Sequence, residues 1–220
     1  MLVAGVDEAG RGCVIGPLVI AGVLIKEENL HALNSLGVKD SKLLSPKKRE
    51  ALYIEIARLA EKHEIIKLAP MKIDRAVESK RKLHKLNRLE AQTMAQIINA
   101  LKPDEAYVDA ADVLETRFKH HIQEGLTVKT KITSKHKADK IYPVVSAASI
   151  MAKVERDKEI ATLKDVYGDF GSGYLTDQKT MRFLKQWLQT HAEYPNCVRK
   201  SWKPAKQIKN QKGTVQKKLA

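Results

Sequence analysis

A short apolar run near the N-terminus, residues 2–6, ends directly on the acidic residues Asp7 and Glu8. An apolar run of this length, bounded by turn-forming residues, is typical of a buried strand. Its carboxylates then lie at the C-terminal end of the strand, where α/β sheets place their functional groups. Glycines at positions 10, 12 and 16 end the regular structure. This opening favours a fold in which a buried strand carries acidic side chains to one edge of a sheet.

The rest of the chain alternates between strand and helix patterns. We predict strands over residues 14–25, 64–68, 105–109 and 126–132, and helices over 45–62, 86–101, 114–123, 143–167 and 180–191. Strands come first and helices then intersperse, which predicts an α/β fold, a mixed sheet with helices on its faces. No internal repeat or clear linker precedes the C-terminal tail. We therefore expect one domain over residues 1–203 and a basic, flexible tail over residues 204–220.

Two further carboxylates occupy positions similar to that of Asp7. Asp109 ends the predicted strand 105–109, and Asp139 lies in the loop before the long helix. If these side chains and Glu8 converge, each pair at about 5 Å repels by roughly 3 kcal/mol at an effective dielectric near 20. Mg²⁺ neutralises such clusters, and two ions about 4 Å apart can drive phosphodiester hydrolysis. Taken singly, each aspartate is as readily a turn former or helix cap, and spacing alone does not establish convergence.

The charge of the chain indicates a polyanionic partner. Lys and Arg number 40 against 26 Asp and Glu, a formal net charge of +14. Nucleic acid is the commonest partner of such a protein, and an anionic membrane surface is the alternative. Eight basic and no acidic residues lie between Arg199 and Ala220, so we expect the tail to bind phosphate in a salt-sensitive way. No apolar run reaches the roughly 18 residues of a spanning helix, and no signal-peptide pattern is present.

The cysteine content favours a reducing compartment. Only Cys13 and Cys197 are present, which argues against a disulfide framework, although pairing between the two stays open. We therefore expect a cytoplasmic protein. No cysteine and histidine spacing typical of zinc occurs, so oxygen ligands must hold any metal.

Several sequence blocks occur in one order along the chain. They are GVDEAGRG at 5–12, KDSK at 39–42, LNRLEA at 86–91, VD at 108–109, HKAD at 136–139, YPVVSAASI at 142–150, AKVERD at 152–157 and GSGY at 171–174. This ordered set resembles ribonuclease HII, the type 2 ribonuclease H, and looks more archaeal or eukaryotic than bacterial. The resemblance implies a ribonuclease H-like α/β fold with a helical C-terminal extension. The short chain favours the archaeal type and a monomer.

The resemblance also implies an activity and a catalytic site. Members of the family cut the RNA strand of RNA–DNA hybrids and incise duplex DNA on the 5′ side of single ribonucleotides, leaving 5′-phosphate and 3′-hydroxyl ends. Their catalytic carboxylates correspond to Asp7, Glu8, Asp109 and Asp139, which would bind two Mg²⁺ or Mn²⁺ ions. Asp112 is close to Asp109 in sequence, and we expect it to be the N-cap of the following helix instead.

The substrate-binding residues follow from the same resemblance. Gly10, Arg11 and Gly12 correspond to the loop that senses the ribonucleotide, and Tyr174 to the tyrosine that stacks under the following sugar. Glycines let backbone groups approach a 2′-hydroxyl, and Arg11 can bond a flanking phosphate, although an ordinary turn is the alternative. We expect the remaining substrate contacts, phosphate neighbours, at Lys42, Ser146 and Lys153.

The sequence departs from the family pattern at two positions. Cys13 and Leu175 stand where many relatives have proline, which could loosen the substrate loops. His136 precedes Asp139 and could assist product release, but a surface position is the commoner outcome. His120 and His121 are expected at the surface, and both tryptophans are expected to pack the C-terminal helices, with stacking on nucleic acid as the alternative for Trp202.

Two alternatives remain at this point. The type 3 relative usually carries an extra N-terminal domain and a Gly-Lys-Gly loop, whereas here the loop is Gly-Arg-Gly and the first strand begins at Leu2. A non-catalytic basic nucleic-acid-binding protein would need the lysines but not the four carboxylates. Some archaeal relatives end in a sliding-clamp peptide with aromatic residues. The tail here ends in Gln216 to Ala220 without an aromatic pair, so clamp binding is unsupported.

Overall fold

The computed structural model describes residues 1–38, 44–80, 83 and 85–219, with side chains as far as Gln211. The block at 39–42, including the proposed phosphate neighbour Lys42, lies outside the described residues.

The described part of the chain contains one five-stranded mixed sheet, which confirms the predicted fold class. The strands are β1 Leu2–Ala9, β2 Leu18–Lys26, β3 Lys62–Leu68, β4 Glu105–Asp109 and β5 Lys131–Lys135. Their order is β3-β2-β1-β4-β5, with β1 in the centre. β1 pairs antiparallel with β2 and parallel with β4, and β4 pairs parallel with β5. The C-terminal ends of β1, β4 and β5 therefore share one edge of the sheet.

Helices connect and follow these strands. They are α1 Leu30–Ser35, α2 Pro46–Leu59, α3 Pro70–Glu78, α4 Lys85–Leu101, α5 Glu115–Gln123, α6 Ala138–Ile141, α7 Pro143–Tyr167, α8 Gln178–Thr190 and α9 Lys203–Leu219, with a 3-10 turn at Glu27–Asn29. The predicted start of α2 is confirmed, because the Ser45 side chain accepts a hydrogen bond from the Lys48 amide and Pro46 opens the helix. None of the helices in the described ranges combines the length and apolar character needed to cross a bilayer.

Several predicted elements differ from the structure. The strand expected at 14–25 begins only at Leu18. The strand expected at 126–132 begins only at Lys131, since the Asn99 side chain of α4 binds the Gly125 carbonyl and the Thr127 amide and holds this segment as a loop. The expected flexible tail, residues 204–220, has a helical backbone as far as Leu219, in α9. Its flexibility and the domain boundary at residue 203 stay predictions.

Contacts divide the chain into two compact units. Unit 1 comprises Met1–Ala9, Val19–Lys67 and Lys82–Glu155, and unit 2 comprises Gly10–Leu18, Leu68–Arg81 and Arg156–Ala220. Unit 1 contains most of the sheet, and α7 contributes residues to both units.

In unit 1, α7 lies directly against the central strand. A Cβ atom at Gly5 of β1 would collide with the backbone carbonyl group of Val144, so only glycine permits this approach. Ala147 and Ala148 of α7 are fully buried in the same core. The small residues of both elements thus bring the helix close to the strand that carries Asp7.

Unit 2 has its own apolar core. Phe170, Leu184 and Leu188 are buried there, and the partly buried Trp187 and Trp202 pack against the cluster, as predicted for both tryptophans. Asp74 of α3 accepts hydrogen bonds from the amides of Lys200 and Ser201, at 2.9 and 3.0 Å. These bonds tie α3 to the segment that precedes α9.

Candidate active site

Asp7 and Asp109 lie side by side at the C-terminal edge of the sheet. The register pairs Val6 with Val108 on parallel strands, so the next residue of each strand is an aspartate. The Asp7 side chain is buried, with 4 % of the residue exposed. Burial, followed by the charge of Asp109, raises the pKa of Asp7 to about 7. The predicted convergence of these two carboxylates is therefore observed.

Asp139 lies next to Asp109 through the turn that follows β5. The backbone amide of Ala138 donates to Asp109 Oδ1 at 3.0 Å, and Asp139 is the next residue in α6. Lys137 adopts the left-handed conformation (φ +56°) that this tight entry into α6 requires. Asp139 is also buried, with 6 % exposed. Three strand-end segments thus deliver carboxylates to one edge.

Glu8 meets Asp7 through its backbone. Its amide donates to Asp7 Oδ1 at 2.7 Å. Consecutive residues of a strand point to opposite faces, so the two side chains diverge from β1. Among the described residues, no three Asp, Glu, His or Cys side chains are grouped as a ready metal-binding cluster. The backbone therefore brings the four carboxylate residues to one edge of the sheet, but their side chains do not converge on a single point.

Two residues of α7 act on Asp7, and one of them was missed in the sequence. A hydrogen bond from Ser149 and the charge of Lys153 both lower the pKa of Asp7, against the larger effect of burial. Lys153 Nζ donates to Ser149 Oγ at 2.8 Å across one helical turn. The i, i+4 spacing of Ser149 and Lys153 was the sequence signal that could have identified this pair.

The structure does not favour the predicted substrate contact at Ser146. This residue is fully buried, and its hydroxyl donates to the Val38 carbonyl. It lies three residues before Ser149 and secures the core of unit 1. Its position in the family-like block did not reveal that it points into the protein.

Asp112 is bound by a structural partner, which fits its exclusion from the site. It does not, however, have the N-cap role predicted for it. The helix α5 begins at Glu115 with Leu114 as its N-cap, so Asp112 is not the cap. Its buried carboxylate accepts from Arg117 Nε at 2.9 Å and from the Leu114 amide at 3.1 Å. The Arg117 hydrogen bond holds the pKa of Asp112 well below its usual range.

The histidines divide between surface and core. His136 is exposed, and its amide donates to Glu115 Oε1 at 2.8 Å. His120 is exposed as predicted, whereas the surface position predicted for His121 is wrong, because this side chain is buried against the interior face of α5. Neighbouring positions on a helix face different directions, which is why the pair separates.

In unit 2, a buried arginine holds the Gly-Arg-Gly loop, residues Gly10 to Gly12. Gly10 has a φ of +84°, and a Cβ there would lie 2.8 Å from the Pro17 carbonyl oxygen. Arg199 donates to the carbonyl oxygens of Gly10 at 2.7 Å and Arg11 at 2.8 Å. The loop is thus a fixed structure with Gly12 exposed.

Tyr174 lies against a second arginine in unit 2. The Arg156 guanidinium carbon is 4.9 Å from the centre of the Tyr174 ring, and Arg156 Nη2 donates to Cys13 Sγ at 3.1 Å. Burial, followed by Cys13, raises the pKa of the Tyr174 hydroxyl to about 12. With 36 % of Tyr174 exposed, part of the residue is open to a ligand. Cys13 and Cys197 are both buried free thiols.

Comparisons with known proteins identify the family of the chain. The family model "Ribonuclease HII" matches residues 4–205. The chain belongs to the ribonuclease HII family. The Ribonuclease HII of Pyrococcus abyssi is 45 % identical over 210 residues, covering 94 % of this chain and 91 % of that protein.

Solved structures give the same result for the fold. The crystal structure of ribonuclease H2 from Pyrococcus horikoshii OT3 superposes with a TM-score of 0.88 at 43 % identity, covering 96 % of this chain and 98 % of that one. The RNase HII in the PCNA:RNase HII complex from Archaeoglobus fulgidus superposes with a TM-score of 0.83 at 44 % identity, covering 92 % and 96 %. The predicted ribonuclease H-like fold and its archaeal resemblance are confirmed.

Family membership decides between the alternatives that the sequence left open. Ribonucleases HII are metal-dependent endonucleases, so the chain is an enzyme and not only a basic binding protein. Its activity is that of a ribonuclease H, which is the hydrolysis of RNA in RNA–DNA hybrids. The roles of individual residues stay predictions.

Proposed function

We propose that this ribonuclease HII also incises duplex DNA on the 5′ side of a single embedded ribonucleotide, with Asp7, Glu8, Asp109 and Asp139 as its catalytic carboxylates. Hydrolysis would leave 5′-phosphate and 3′-hydroxyl ends. The observation that carries the proposal is the adjacent pair of the buried Asp7 and the partly exposed Asp109: burial, followed by the charge of Asp109, raises the pKa of Asp7 to about 7. A protein gains nothing for its own stability from two such carboxylates, so their placement indicates a ligand of positive charge.

The donor set suits Mg²⁺ or Mn²⁺. All four proposed ligands are carboxylates, and hard divalent cations prefer oxygen. A pair of such ions supplies activation of a water molecule and stabilisation of the leaving oxygen. Ser149 and Lys153 favour the ionised form of Asp7, which is the form that binds a cation. The Asp109 carboxylate is oriented by the Ala138 amide.

Recognition of the ribonucleotide is proposed for the Gly-Arg-Gly loop and Tyr174. Gly12 is exposed and leaves its backbone groups accessible to a 2′-hydroxyl, Gly10 permits the tight turn beside it, and Arg11 carries a charge for a flanking phosphate. The partly exposed Tyr174 ring offers a stacking surface. Lys153 donates a hydrogen bond to Ser149, so we propose that its main role is to act on the carboxylates and that a contact with a substrate phosphate is secondary.

We further propose that the chain acts as a cytoplasmic monomer. The Archaeoglobus fulgidus relative was solved with PCNA. The segment Gln216 to Ala220 contains Leu219 but no aromatic pair, so it gives no support for clamp binding. Tight binding of an archaeal sliding clamp that is lost on deletion of residues 212–220 would overturn this interpretation.

The deciding experiment uses three labelled duplexes with Mg²⁺: one DNA duplex carrying a single ribonucleotide, one of DNA alone, and one RNA–DNA hybrid. We expect incision only 5′ of the ribonucleotide and within the hybrid, and loss of both in Asp109→Asn. Cleavage of the hybrid alone would leave a ribonuclease H and remove the single-ribonucleotide activity. Cleavage that persists in Asp109→Asn would remove the proposed catalytic site.

A further inference from the structure

Arg199 is a charged side chain with no exposed surface, in the interior of unit 2. Removing a guanidinium from water is costly unless its donors are satisfied. Arg199 Nη2 donates to the Gly10 carbonyl at 2.7 Å and Nη1 to the Arg11 carbonyl at 2.8 Å. Its Nε donates to the Gly16 carbonyl at 3.1 Å. One side chain thus binds both ends of the segment from Gly10 to Gly16.

These bonds fix the orientation of two peptide groups in the Gly-Arg-Gly loop. In a planar trans peptide the N–H points opposite to the carbonyl oxygen. Because Arg199 holds the carbonyls of Gly10 and Arg11, the amides of Arg11 and Gly12 point away from the buried guanidinium. Gly12 is exposed, so its amide belongs to the accessible part of the loop. The loop therefore presents two adjacent N–H donors in a set direction.

We infer that Arg199 is a positioning residue for ribose recognition, which presets the amides of Arg11 and Gly12 as donors to the oxygens of a ribonucleotide or its phosphate. The inference rests on the recognition role proposed above for the loop. Preset donors avoid the ordering cost that a flexible glycine segment would carry on binding. Arg199 itself contacts no substrate in this arrangement.

Arg199 is itself held in place by the fold. Its amide donates to the Val14 carbonyl at 2.8 Å, and its guanidinium carbon lies 5.0 Å from the centre of the Trp202 ring. Val198 pairs with Ile15, and Asp74 binds the two amides that follow Arg199. The geometry of the guanidinium therefore follows from unit 2 alone, before any substrate is present.

Lysine cannot replace this contact. The planar guanidinium directs donors to three carbonyls at once, whereas an ammonium is a point charge at the end of a flexible stem. Arg199→Lys keeps the charge and removes the fixed geometry. Leu188→Ala is the matched control, since Leu188 is buried in the apolar core of the same unit, and its truncation loosens that core without removing a hydrogen bond to the loop. Circular dichroism and thermal unfolding confirm that each variant is folded at the assay temperature.

The test compares binding of the metal-free full chain to two DNA duplexes that differ only in one ribonucleotide, together with hydrogen exchange of the Arg11 and Gly12 amides. In Arg199→Lys we expect the preference for the ribonucleotide to fall about tenfold, the order of one lost aligned hydrogen bond, and the two amides to exchange about tenfold faster. The affinity for all-DNA duplex stays within about twofold, since the charge is retained. Leu188→Ala keeps the wild-type preference.

The two readouts separate the inference from the function on which it rests. If Arg199→Lys keeps both the ribonucleotide preference and the slow exchange, Arg199 does not position the loop. An equal loss of preference in Leu188→Ala would also overturn the inference, because general loosening would then explain it. If wild type shows no preference at all, the recognition role of the loop falls. Hydrogen exchange then still decides whether Arg199 sets its conformation.

Discussion

Along the chain, only Ala9 lies between the acidic pair Asp7 and Glu8 and the Gly-Arg-Gly loop. The two regions nevertheless place a buried charged group in opposite environments. Around Asp7, burial and then the charge of Asp109 disfavour the ionised form. Around Arg199, three carbonyl oxygens satisfy the guanidinium. Around Asp7 the protein opposes ionisation, so on our proposal a cation binds there, whereas the protein itself supplies the partners of Arg199. The carboxylate region should therefore respond to metal and pH, and the region around Arg199 should not.

The largest expected effect is loss of activity on removing one carboxylate. Asp109→Asn is expected to lower kcat on an RNA–DNA hybrid by roughly 10³-fold or more, since cation binding loses a charged ligand. Steady-state kinetics in Mg²⁺ would measure this, with the exposed Asp165→Asn as a control of equal charge change. A variant that retains a tenth of the wild-type kcat would show that Asp109 does not serve the cation.

The second-largest expected effect is a gain in the free energy of unfolding when the charge of Asp7 is removed. The pKa of Asp7 is raised from 3.8 to about 7 in the fold, so the folded state binds the extra proton and stability falls as pH rises from about 4 to about 7. Without metal at pH 8, Asp7→Asn should raise the free energy of unfolding by an amount on the order of 2–4 kcal/mol. The gain should disappear near pH 4. Denaturant unfolding in chelator checks both values, and equal stability of the two proteins at pH 8 would contradict the destabilisation of the Asp7 charge by burial and by Asp109.

Adding a cation should have a comparable but smaller effect. Mg²⁺ at about 100 times its Kd should stabilise the wild type by about 2.7 kcal/mol through mass action. Thermal unfolding should show this gain greatly reduced in Asp7→Asn and intact in Arg199→Lys. An equal rise in Tm for wild type and Asp7→Asn would place the cation elsewhere.

The smallest effect concerns Tyr174. Tyr174→Ala should lower kcat/KM on the single-ribonucleotide duplex roughly tenfold, because stacking on an aromatic ring contributes about 1–3 kcal/mol. Tyr174→Phe keeps the ring against Arg156 and should retain most of the activity. The measurement is kcat/KM for both variants at two salt concentrations. If Phe and Ala lose equally, the hydroxyl and not the ring carries the function.

The sequence pattern alone was sufficient to predict an element when the signals that set its bounds lie within that element. The strand 105–109 and the long helix from Pro143 to Tyr167 were predicted at their observed bounds, since periodicity and helix-start signals lie within them. β5 was misplaced because contacts from Asn99, about 26 residues away in the chain, hold the preceding loop. The helical backbone of α9 was also missed, since its sequence has little apolar periodicity.

The sequence by itself determined the family and the residues that we propose to carry chemistry: carboxylates at strand ends, a glycine loop and a basic surplus. The tertiary structure alone decided that Ser149, and not Ser146, binds Asp7, and that Arg199 holds a loop 188 and 189 positions before it. The physical reason is that helix and strand periods report only neighbours in the chain. Hydrogen bonds between distant segments depend on packing, which leaves no local pattern.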